Sequence, residues 1–446
     1  LNKALDDAEC TVDGARALFL ADLQAQRTAP PAGSDAPNII LSGNRRERDC
    51  NETSLAMALA VRMGARNIES VGHRIFYDSF SGQTKFERSD YRNKAREEEF
   101  HRNLERADSY RGIHSVDLCR EALRISKIEE PLDRHELVTR AVSTPALSAI
   151  YTNAASSILI SEIEQQEDST LGWTREIDVK NYQENGLVRV DGGRLKKRHK
   201  GQKAAQSTIA ATMEVVRVAH FANTLILDII DIVDDSIGAL KAAMDEWAVG
   251  VADLRPSLVY GMLATNAALR TDGVTLFHAD HNNTATSTAL SAANLQTVLG
   301  KMGAQKDAAG TVLNLTSCYI VTGTGYSFVA DQLANSAEIR ESAAANGTKN
   351  PFLKHGLGTA ADARLSAGFV DPSSDTAVAA APTLWYLASK GGRHGATVAF
   401  LEGSGRMPKM STKVLNSEGQ YGLAIDISHS IGAGVSGYQG LQKAVG

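Results

Sequence analysis

The sequence predicts a mixed fold of helices and strands, the α+β class, and three patterns lead to this prediction. Apolar residues recur at steps of three and four from Ile237 to Leu258, which is typical of one long amphipathic helix. Between Trp173 and Phe221, apolar and polar residues alternate around glycine turns, which indicates a long β-hairpin. After Leu258, short apolar runs alternate with helical segments, as expected where strands and helices share small cores.

The first 135 residues or so are predicted to be helical, polar and loosely organised. Helices are expected at Thr53 to Met63 and at Ser115 to Leu123, where Ser115 can cap the N-terminus. A linker rich in proline and glycine is expected from Thr28 to Gly43, and Lys85 to Arg111 carries mixed charge with few apolar residues. Such isolated apolar stripes cannot bury a core by themselves, so this part should lie on another surface, such as a neighbouring subunit.

The predicted hairpin has a strongly basic tip. Asn185-Gly186 and Asp191-Gly192-Gly193 are turn signals, and strand character resumes from Ile209 to Val218. The tip is too polar for a core, which leaves three interpretations open: an exposed loop, contact with nucleic acid or another anion, and contact with an acidic patch on a neighbouring subunit. The candidate contact residues are Arg194, Lys196, Lys197, Arg198, Lys200 and Lys203.

The long helix should begin after Asp234, Asp235 and Ser236, whose side chains suit a helix N-terminus. Pro256 lies within the apolar stripe and lacks a backbone N–H. The helix is therefore expected either to bend at Pro256 or to be two helices in series.

The C-terminal part is predicted to alternate short strands with helices. Residues 340–359 are expected to form a loop, and four glycines after Ile427 indicate an irregular C-terminus. The predicted strands are Cys318–Val321, Trp385–Leu387, Val398–Leu401 and the stretch of Leu423, Ile425 and Ile427, and the predicted helix is Tyr326–Asn335.

One histidine cluster has the chemistry of a metal site. His278, Asp280 and His281 are ligand types, but three ligands within four residues converge poorly, because alternate side chains on a strand point to opposite faces. The other interpretation is a hydrogen-bonded turn after a strand at Leu276-Phe277. Gly323-Thr324-Gly325 lacks the third glycine and the acidic residue of a dinucleotide fingerprint, so a turn is predicted there.

Bulk properties exclude several classes. The chain has 446 residues, enough for two or three domains, and its net charge of −5 is wrong for a protein that coats nucleic acid. Its four cysteines are far apart, with no metal or redox spacing. No apolar run approaches the roughly 18 residues needed to cross a bilayer, and no signal peptide is recognisable. Leu1 in place of methionine suggests a chain trimmed at its N-terminus.

Several segments resemble one protein family, the major capsid proteins of tailed double-stranded DNA phages, in the Mu-type or prohead-protease-fused branch. Leu254 to Leu295 resembles the family's central segment: a helix, a turn, an apolar strand, His-Ala-Asp-His-Asn-Asn, a Thr/Ser stretch and a second helix start. Ser109 to Leu118 resembles its N-terminal helix start. Leu384–Leu387 and Val398–Gly403 resemble its late strand pair, and Leu423 to Leu441 its terminal strand and loop.

The resemblance implies the Hong Kong 97-type capsid fold, with an N-terminal arm, an extended loop, a peripheral domain carrying a long spine helix, and an axial domain. The domains are expected at residues 1–172 (helical arm), 173–220 (extended loop), 221–310 (peripheral domain), 311–414 (axial domain) and 415–446 (return to the peripheral domain).

The implied function is that of a major head protein. Hexamers and pentamers of one subunit would tile an icosahedral shell around double-stranded DNA, in the mature form left after proteolysis of an N-terminal segment. The implied partners are other copies, a portal, possible decoration proteins and packaged DNA in weak, non-specific contact, with no membrane, cofactor, metal or enzymatic activity. The protein would reside in the virion after assembly in the bacterial host cytoplasm.

Two other functions remain open at this point. One is an encapsulin-like nanocompartment shell of the same fold. The other is a metal-dependent hydrolase using His278, Asp280 and His281. Some shells of this fold link a lysine of the extended loop to a neighbour's asparagine, but no residue here matches such a pair, so no crosslink is predicted.

Overall fold

The computed structural model describes residues 52–65, 101–191, 210–307, 310–339, 347–392, 394–417 and 420–446, together with Lys197, Lys200 and Lys203. Of the sequence predictions, the linker at 28–43 lies outside these residues, as does the larger part of the charged stretch at 85–111. No helix within the described ranges is both long and apolar enough to cross a membrane.

The helices are labelled in chain order. Residues 101–109 are helical as well. The labelled helices are α1 (Glu52–Arg62), α2 (Ser115–Ile125), α3 (Arg134–Val142), α4 (Pro145–Ile163), α5 (Ile229–Val233), α6 (Ile237–Thr265), α7 (Ala292–Gly303), α8 (Ser327–Asn335) and α9 (Ala363–Ala367).

Within the described ranges, the strands form two larger sheets and three two-stranded ones. They are β1 (Arg175–Val179), β2 (Asn185–Asp191), β3 (Ala210–Val216), β4 (Ala219–Asp228), β5 (Thr284–Ala285), β6 (Cys318–Thr322), β7 (Glu338–Ile339), β8 (Thr348–Lys349), β9 (Gly358–Ala361), β10 (Phe369–Asp371), β11 (Thr376–Val378), β12 (Leu384–Ser389), β13 (Ala396–Leu401), β14 (Lys409–Ser417), β15 (Gln420–Val435) and β16 (Leu441–Val445).

The first sheet is built on β15, which is 16 residues long and pairs along both edges. Antiparallel β4 occupies one edge, from Asp228 opposite Gly422 to Ala219 opposite Ile431. Antiparallel β14 and β13 follow each other along the other edge, and β1 extends the sheet beyond β13 in parallel. A central strand with neighbours on both sides is typically apolar, and Leu423 and Ile425 are fully buried.

The N-terminal helices obtain their core within the chain. Thr144 caps α4 by accepting a hydrogen bond from the Leu147 amide, with Pro145 at the first helical position, where its missing N–H costs nothing. Buried residues of α1 to α4 pack together with α5, the first half of α6 and β15. The supporting surface expected for these helices therefore lies in the same subunit. The cap of α2 is His114, not Ser115.

The second sheet has the strand order β5-β16-β12-β6-β9 and lies between two cores. Its central strand β12 is buried at all six positions. Trp385 and Leu387 pack against α7 and α8, while Tyr386 and Ala388 belong to the core that contains the second half of α6. Successive side chains on a strand point to opposite faces, so one strand serves both cores.

The structure confirms the α+β class and most of the predicted elements, decides between the two alternatives for the long helix, and corrects three predictions. The long helix α6 is one continuous helix of 29 residues with Pro256 inside it, which excludes the alternative of two helices in series. Strands β12 and β13, expected to form a pair, belong to different sheets. Leu276-Phe277 is not a strand; only Thr275 forms an isolated bridge, to Ala268. Residues 347–359 contain β8, a short 3-10 helix and part of β9 instead of a loop.

The C-terminus is also regular where the glycines predicted irregularity. Strand β15 runs through Gly432 and Gly434 to Val435, and β16 follows. A Cβ on Gly432 would lie 2.1 Å from the carbonyl oxygen of Arg217. Glycine is therefore needed here for close approach of two chain segments, not for a turn.

Candidate subunit-contact surfaces

The hairpin β2–β3 is anchored to the body of the subunit by one buried carboxylate. Glu214 on β3 accepts hydrogen bonds from the amides of Arg270 and Thr271, at 3.0 and 3.1 Å, and from the Thr271 hydroxyl. Leu187 packs beside Val216 in a small core with the first sheet. The base of the hairpin is thus fixed by both polar and apolar contacts.

Beyond this base the hairpin exposes apolar side chains. Val188 and Met213 are cross-strand partners, and they are 61% and 51% exposed. An exposed apolar pair on an antiparallel ribbon has no core to join within the described part of the subunit. It is suited to contact with another molecule.

The basic tip joins the two strands of this hairpin. Lys197, Lys200 and Lys203 are exposed, whereas Arg194, Lys196 and Arg198 lie outside the described residues. Residues 192–209 contain no acidic residue. The assignment of all six basic residues to a subunit contact remains a prediction.

Asp235 fixes the start of α6 against the N-terminal helices. Asp235 has a φ of +57° and forms an ion pair with Arg62 of α1. It also accepts hydrogen bonds from the backbone amide and hydroxyl of Ser115. Burial raises the pKa of Asp235, but the bonds from Arg62 and Ser115 outweigh this and hold it below its usual range. Asp235 therefore joins three helices instead of capping one.

An arginine network surrounds Pro256 in the middle of α6. Arg255 reaches Glu176 Oε1 at 2.6 Å, the Thr174 hydroxyl at 2.8 Å and Asp168 Oδ2 at 3.2 Å. Burial raises the pKa of Glu176, but hydrogen bonds from Arg406 and Arg255 hold it below the usual range. Charged partners on two other segments therefore brace the helix where proline removes a backbone hydrogen bond.

The same region of α6 is braced from α9. Arg364 forms an ion pair with Asp253, one turn before Ser257, and donates a hydrogen bond to the Ser257 hydroxyl at 3.0 Å. It also pairs with buried Asp362, which accepts a hydrogen bond from Ser169 at 2.6 Å.

The histidine cluster is structural. His281 is 5% exposed, and its Nδ1 lies 3.0 Å from the Leu276 carbonyl oxygen and its Nε2 2.9 Å from Asp272 Oδ2. Its ring stacks on Tyr438 at 3.9 Å. His278 accepts a hydrogen bond from the Asp280 amide, and its ring lies edge-on to the His281 ring with 6.4 Å between the centroids. Both ring nitrogens of His281 are engaged by other groups, so His281 is not free to act as the metal ligand that the hydrolase hypothesis requires.

No group of metal-ligating side chains occurs among the residues that the structure describes. Sequence reasoning did not single out Glu214 or Arg255, and it assigned Asp235 to a helix cap. A glutamate within an otherwise apolar strand segment was the one available signal for Glu214. The partners of Asp235 and Arg255 are distant in sequence, so no local pattern could identify them.

No curated protein sequence matches the chain significantly. Solved structures similar to it include the mature capsid of bacteriophage PhiM1 (13% identity, 63% of this chain and 87% of that chain, TM-score 0.39) and Mycobacterium phage Ogopogo (13%, 63% and 93%, 0.34). The SrpI encapsulin of Synechococcus elongatus is also similar (10%, 61% and 84%, 0.36).

The sequence identities and TM-scores of these structures are too low to distinguish a phage head protein from an encapsulin. A sequence model described as phage capsid protein matches residues 212–444, just over half of the chain. The matched stretch begins within β3 and extends through both sheets to β16. The chain therefore belongs to the phage capsid protein family.

Proposed function

We propose that this capsid protein is the major head protein of a tailed phage, in the Hong Kong 97-type arrangement. In this proposal, α6 is the spine helix of the peripheral domain, the hairpin β2–β3 is the extended loop, and the second sheet belongs to the axial domain. The domain boundaries predicted from the sequence, and the Mu-type branch, are part of the proposal.

The family match carries this proposal, and the hairpin supports its mechanism. A shell subunit must expose surface for contact with its neighbours, including apolar side chains that a protein working as a monomer would bury in its core. The exposed Val188–Met213 pair and the basic tip offer such area away from the cores. Each contact is modest, but many repeated contacts in a closed shell add up to high stability.

In the proposed assembly, copies of the chain form hexamers and pentamers that close into an icosahedral shell around double-stranded DNA. Assembly takes place in the host cytoplasm. A portal and decoration proteins are the further partners. Contact with DNA is weak and non-specific, since the chain as a whole is acidic.

Negative-stain electron microscopy of purified protein, with light scattering on the same sample, tests the proposal. We expect closed shells or rings of five and six subunits. A monodisperse monomer or dimer that stays small at high concentration would contradict it. Shells that never contain DNA, together with a co-purifying cargo enzyme, would instead support the encapsulin-like function.

Deletion of residues 1–50, or replacement of residues 192–209 by Asn-Gly, tests the overlap mechanism. Asn-Gly closes a two-residue hairpin well, so β2 and β3 should still pair. We expect soluble, folded subunits that fail to make stable shells. Normal shells from both variants would contradict the mechanism while leaving the shell function intact.

A further inference from the structure

The outer edge of β4 differs from the other edges of the two larger sheets. β4 is ten residues long, pairs only with β15 among the described strands, and is exposed at seven positions. Its sequence, AHFANTLILD, contains no lysine, arginine or proline, and its one acidic residue, Asp228, caps α5. A long edge strand without such residues leaves a row of backbone N–H and C=O groups open to another strand.

The remaining edges of the first sheet carry the usual protection. β14 has Lys409 and Lys413 along its length, and Ser148 of α4 donates a hydrogen bond to its Thr412 carbonyl. β1 reads Arg-Glu-Ile-Asp-Val, and its Glu176 and Asp178 are paired with Arg406. In the second sheet, the edge strands β5 and β9 have only two and four residues. Short or charged edges discourage pairing with other chains.

Apolar side chains lie along both faces of the β4 edge. Ile226 points outward and is 50% exposed, and Ile230 at the following turn is 64% exposed. On the other face, Phe221 and Leu225 are only partly buried. A strand added at this edge would therefore cover apolar side chains on both faces.

We propose that the β4 edge receives residues 38–42 of a second copy of this chain as an added strand. The segment reads Asn-Ile-Ile-Leu-Ser between Pro37 and Gly43 and lies outside the described residues. Its β-branched residues favour an extended strand. Alternation would place Ile40 on one face of the sheet and Ile39 and Leu41 on the other, matching the two apolar faces of the edge.

The chain length permits this exchange between copies. Ten residues, and so eleven Cα–Cα steps, lie between Leu41 and Glu52, where α1 begins. An extended chain of that length spans up to about 36 Å, so residues 38–42 can lie far from the start of α1 in their own subunit. The inference rests on the proposed shell function, because it supplies one of the overlapping contacts which that function requires.

A pair of matched substitutions tests the edge. Ile226→Lys places a charge on the open edge, and Val414→Lys places one at a 39% exposed position on β14 of the same sheet. We expect Ile226→Lys to raise the subunit concentration required for shell assembly by about tenfold, equivalent to about 1.4 kcal/mol, and Val414→Lys to leave it unchanged. Thermal unfolding of the unassembled subunit should be alike for both variants.

Disulfide trapping tests the occupant. With Cys10 and Cys50 replaced by serine, one preparation carries Ile226→Cys and the other Ile40→Cys, and the two are assembled together. We expect mixed shells to yield a covalent dimer under oxidation. A parallel mixture of Ile226→Cys with Val188→Cys should yield none, since the hairpin is the rival occupant.

The outcomes separate the inference from the proposed function. If the unmodified protein makes no shells, the proposed function and the edge inference are both contradicted. If it makes shells, and Ile226→Lys assembles equally well or Val414→Lys fails equally badly, the edge inference alone is overturned. It is also overturned if the Val188 mixture gives the dimer, or if a chain carrying both Ile226→Cys and Ile40→Cys crosslinks only to itself.

Discussion

At the scale of single residues, one half-buried and one buried ionisable group, Asp235 and His429, affect stability in different ways. Asp235 is ionised, and its carboxylate forms an ion pair with Arg62 and accepts hydrogen bonds from Ser115. His429 on β15 is buried beside Phe400, and its Nδ1 is among the buried atoms with no hydrogen-bond partner in the described structure. The first group stabilises the fold when ionised, and the second is tolerated only when neutral.

Replacing Asp235 with asparagine should destabilise the subunit by about 2 kcal/mol, because Arg62 loses its counter-charge. Asparagine tolerates the left-handed backbone at this position, so the substitution changes charge with little added strain. Urea unfolding of the unassembled subunit at pH 7 measures this loss. Asp234→Asn, at an exposed neighbouring position, is the control, and an equal loss there would contradict the argument.

The Asp235 carboxylate should also make the stability of the subunit depend on pH in the acid range. Since the pKa of Asp235 is lowered in the folded state, its contribution is present above the unfolded value near 3.9 and is lost as pH falls through the folded pKa. The stability difference between the native protein and Asp235→Asn should therefore shrink below about pH 4. A difference that stays constant down to pH 2 would show that geometry, not charge, is responsible.

His429 should make the subunit sensitive to milder acid. Burial lowers its pKa to about 4, whereas an unfolded histidine titrates near 6.5. Between these values only the unfolded chain takes up the proton, so stability falls as pH drops, by up to about 3 kcal/mol. His429→Leu should remove this part of the loss between pH 7 and pH 4.5. Parallel melting curves for both proteins would contradict it.

At the scale of elements, α6 depends on partners that its own sequence does not contain. Pro256 withholds one backbone hydrogen bond, and residues on both sides of it are fixed from other segments. Arg255 binds residues 168–176, and Ser257 binds Arg364. The continuous helix is thus a property of the tertiary structure.

Arg255→Lys tests this support. A lysine keeps the charge but cannot contact Glu176, Thr174 and Asp168 together, so we expect a loss of about 2 kcal/mol in urea unfolding. Arg406→Lys is the matched comparison, since Arg406 also binds Glu176 but is 48% exposed, and it should cost much less. Equal losses would indicate that Glu176 alone is important.

These elements also show what the sequence could and could not predict. The period of apolar residues located α6, and alternation located β3 and the start of β15, because both patterns are local. The bracing of Pro256, the role of Gly432 and the separation of β12 from β13 depend on residues far apart in sequence. His278, Asp280 and His281 were identified as a group, but only the positions of Asp272 and Tyr438 reveal that His281 is structural.

At the scale of the whole molecule, the charge is divided unevenly. The chain has a formal net charge of −5, and the six basic residues of the hairpin tip contribute +6, so the remainder carries −11. A positive tip on a negative subunit favours contact between copies, and complementary charge of this kind accelerates and orients association. This favours a neighbouring subunit as the partner of the tip.

Replacing Arg194, Lys196, Lys197, Arg198, Lys200 and Lys203 with glutamine tests this partner. If the tip binds a neighbour, the variant should assemble poorly at low salt. Added salt should also weaken assembly of the native protein towards the level of the variant, because the screening length falls to a few ångströms near 1 M salt. If the tip binds nucleic acid instead, assembly should be unaffected and the shells should retain less DNA. Unchanged assembly and unchanged DNA content would leave the tip as a solvated loop, and the apolar pair of Val188 and Met213 would then be the part of the hairpin that contacts a neighbour.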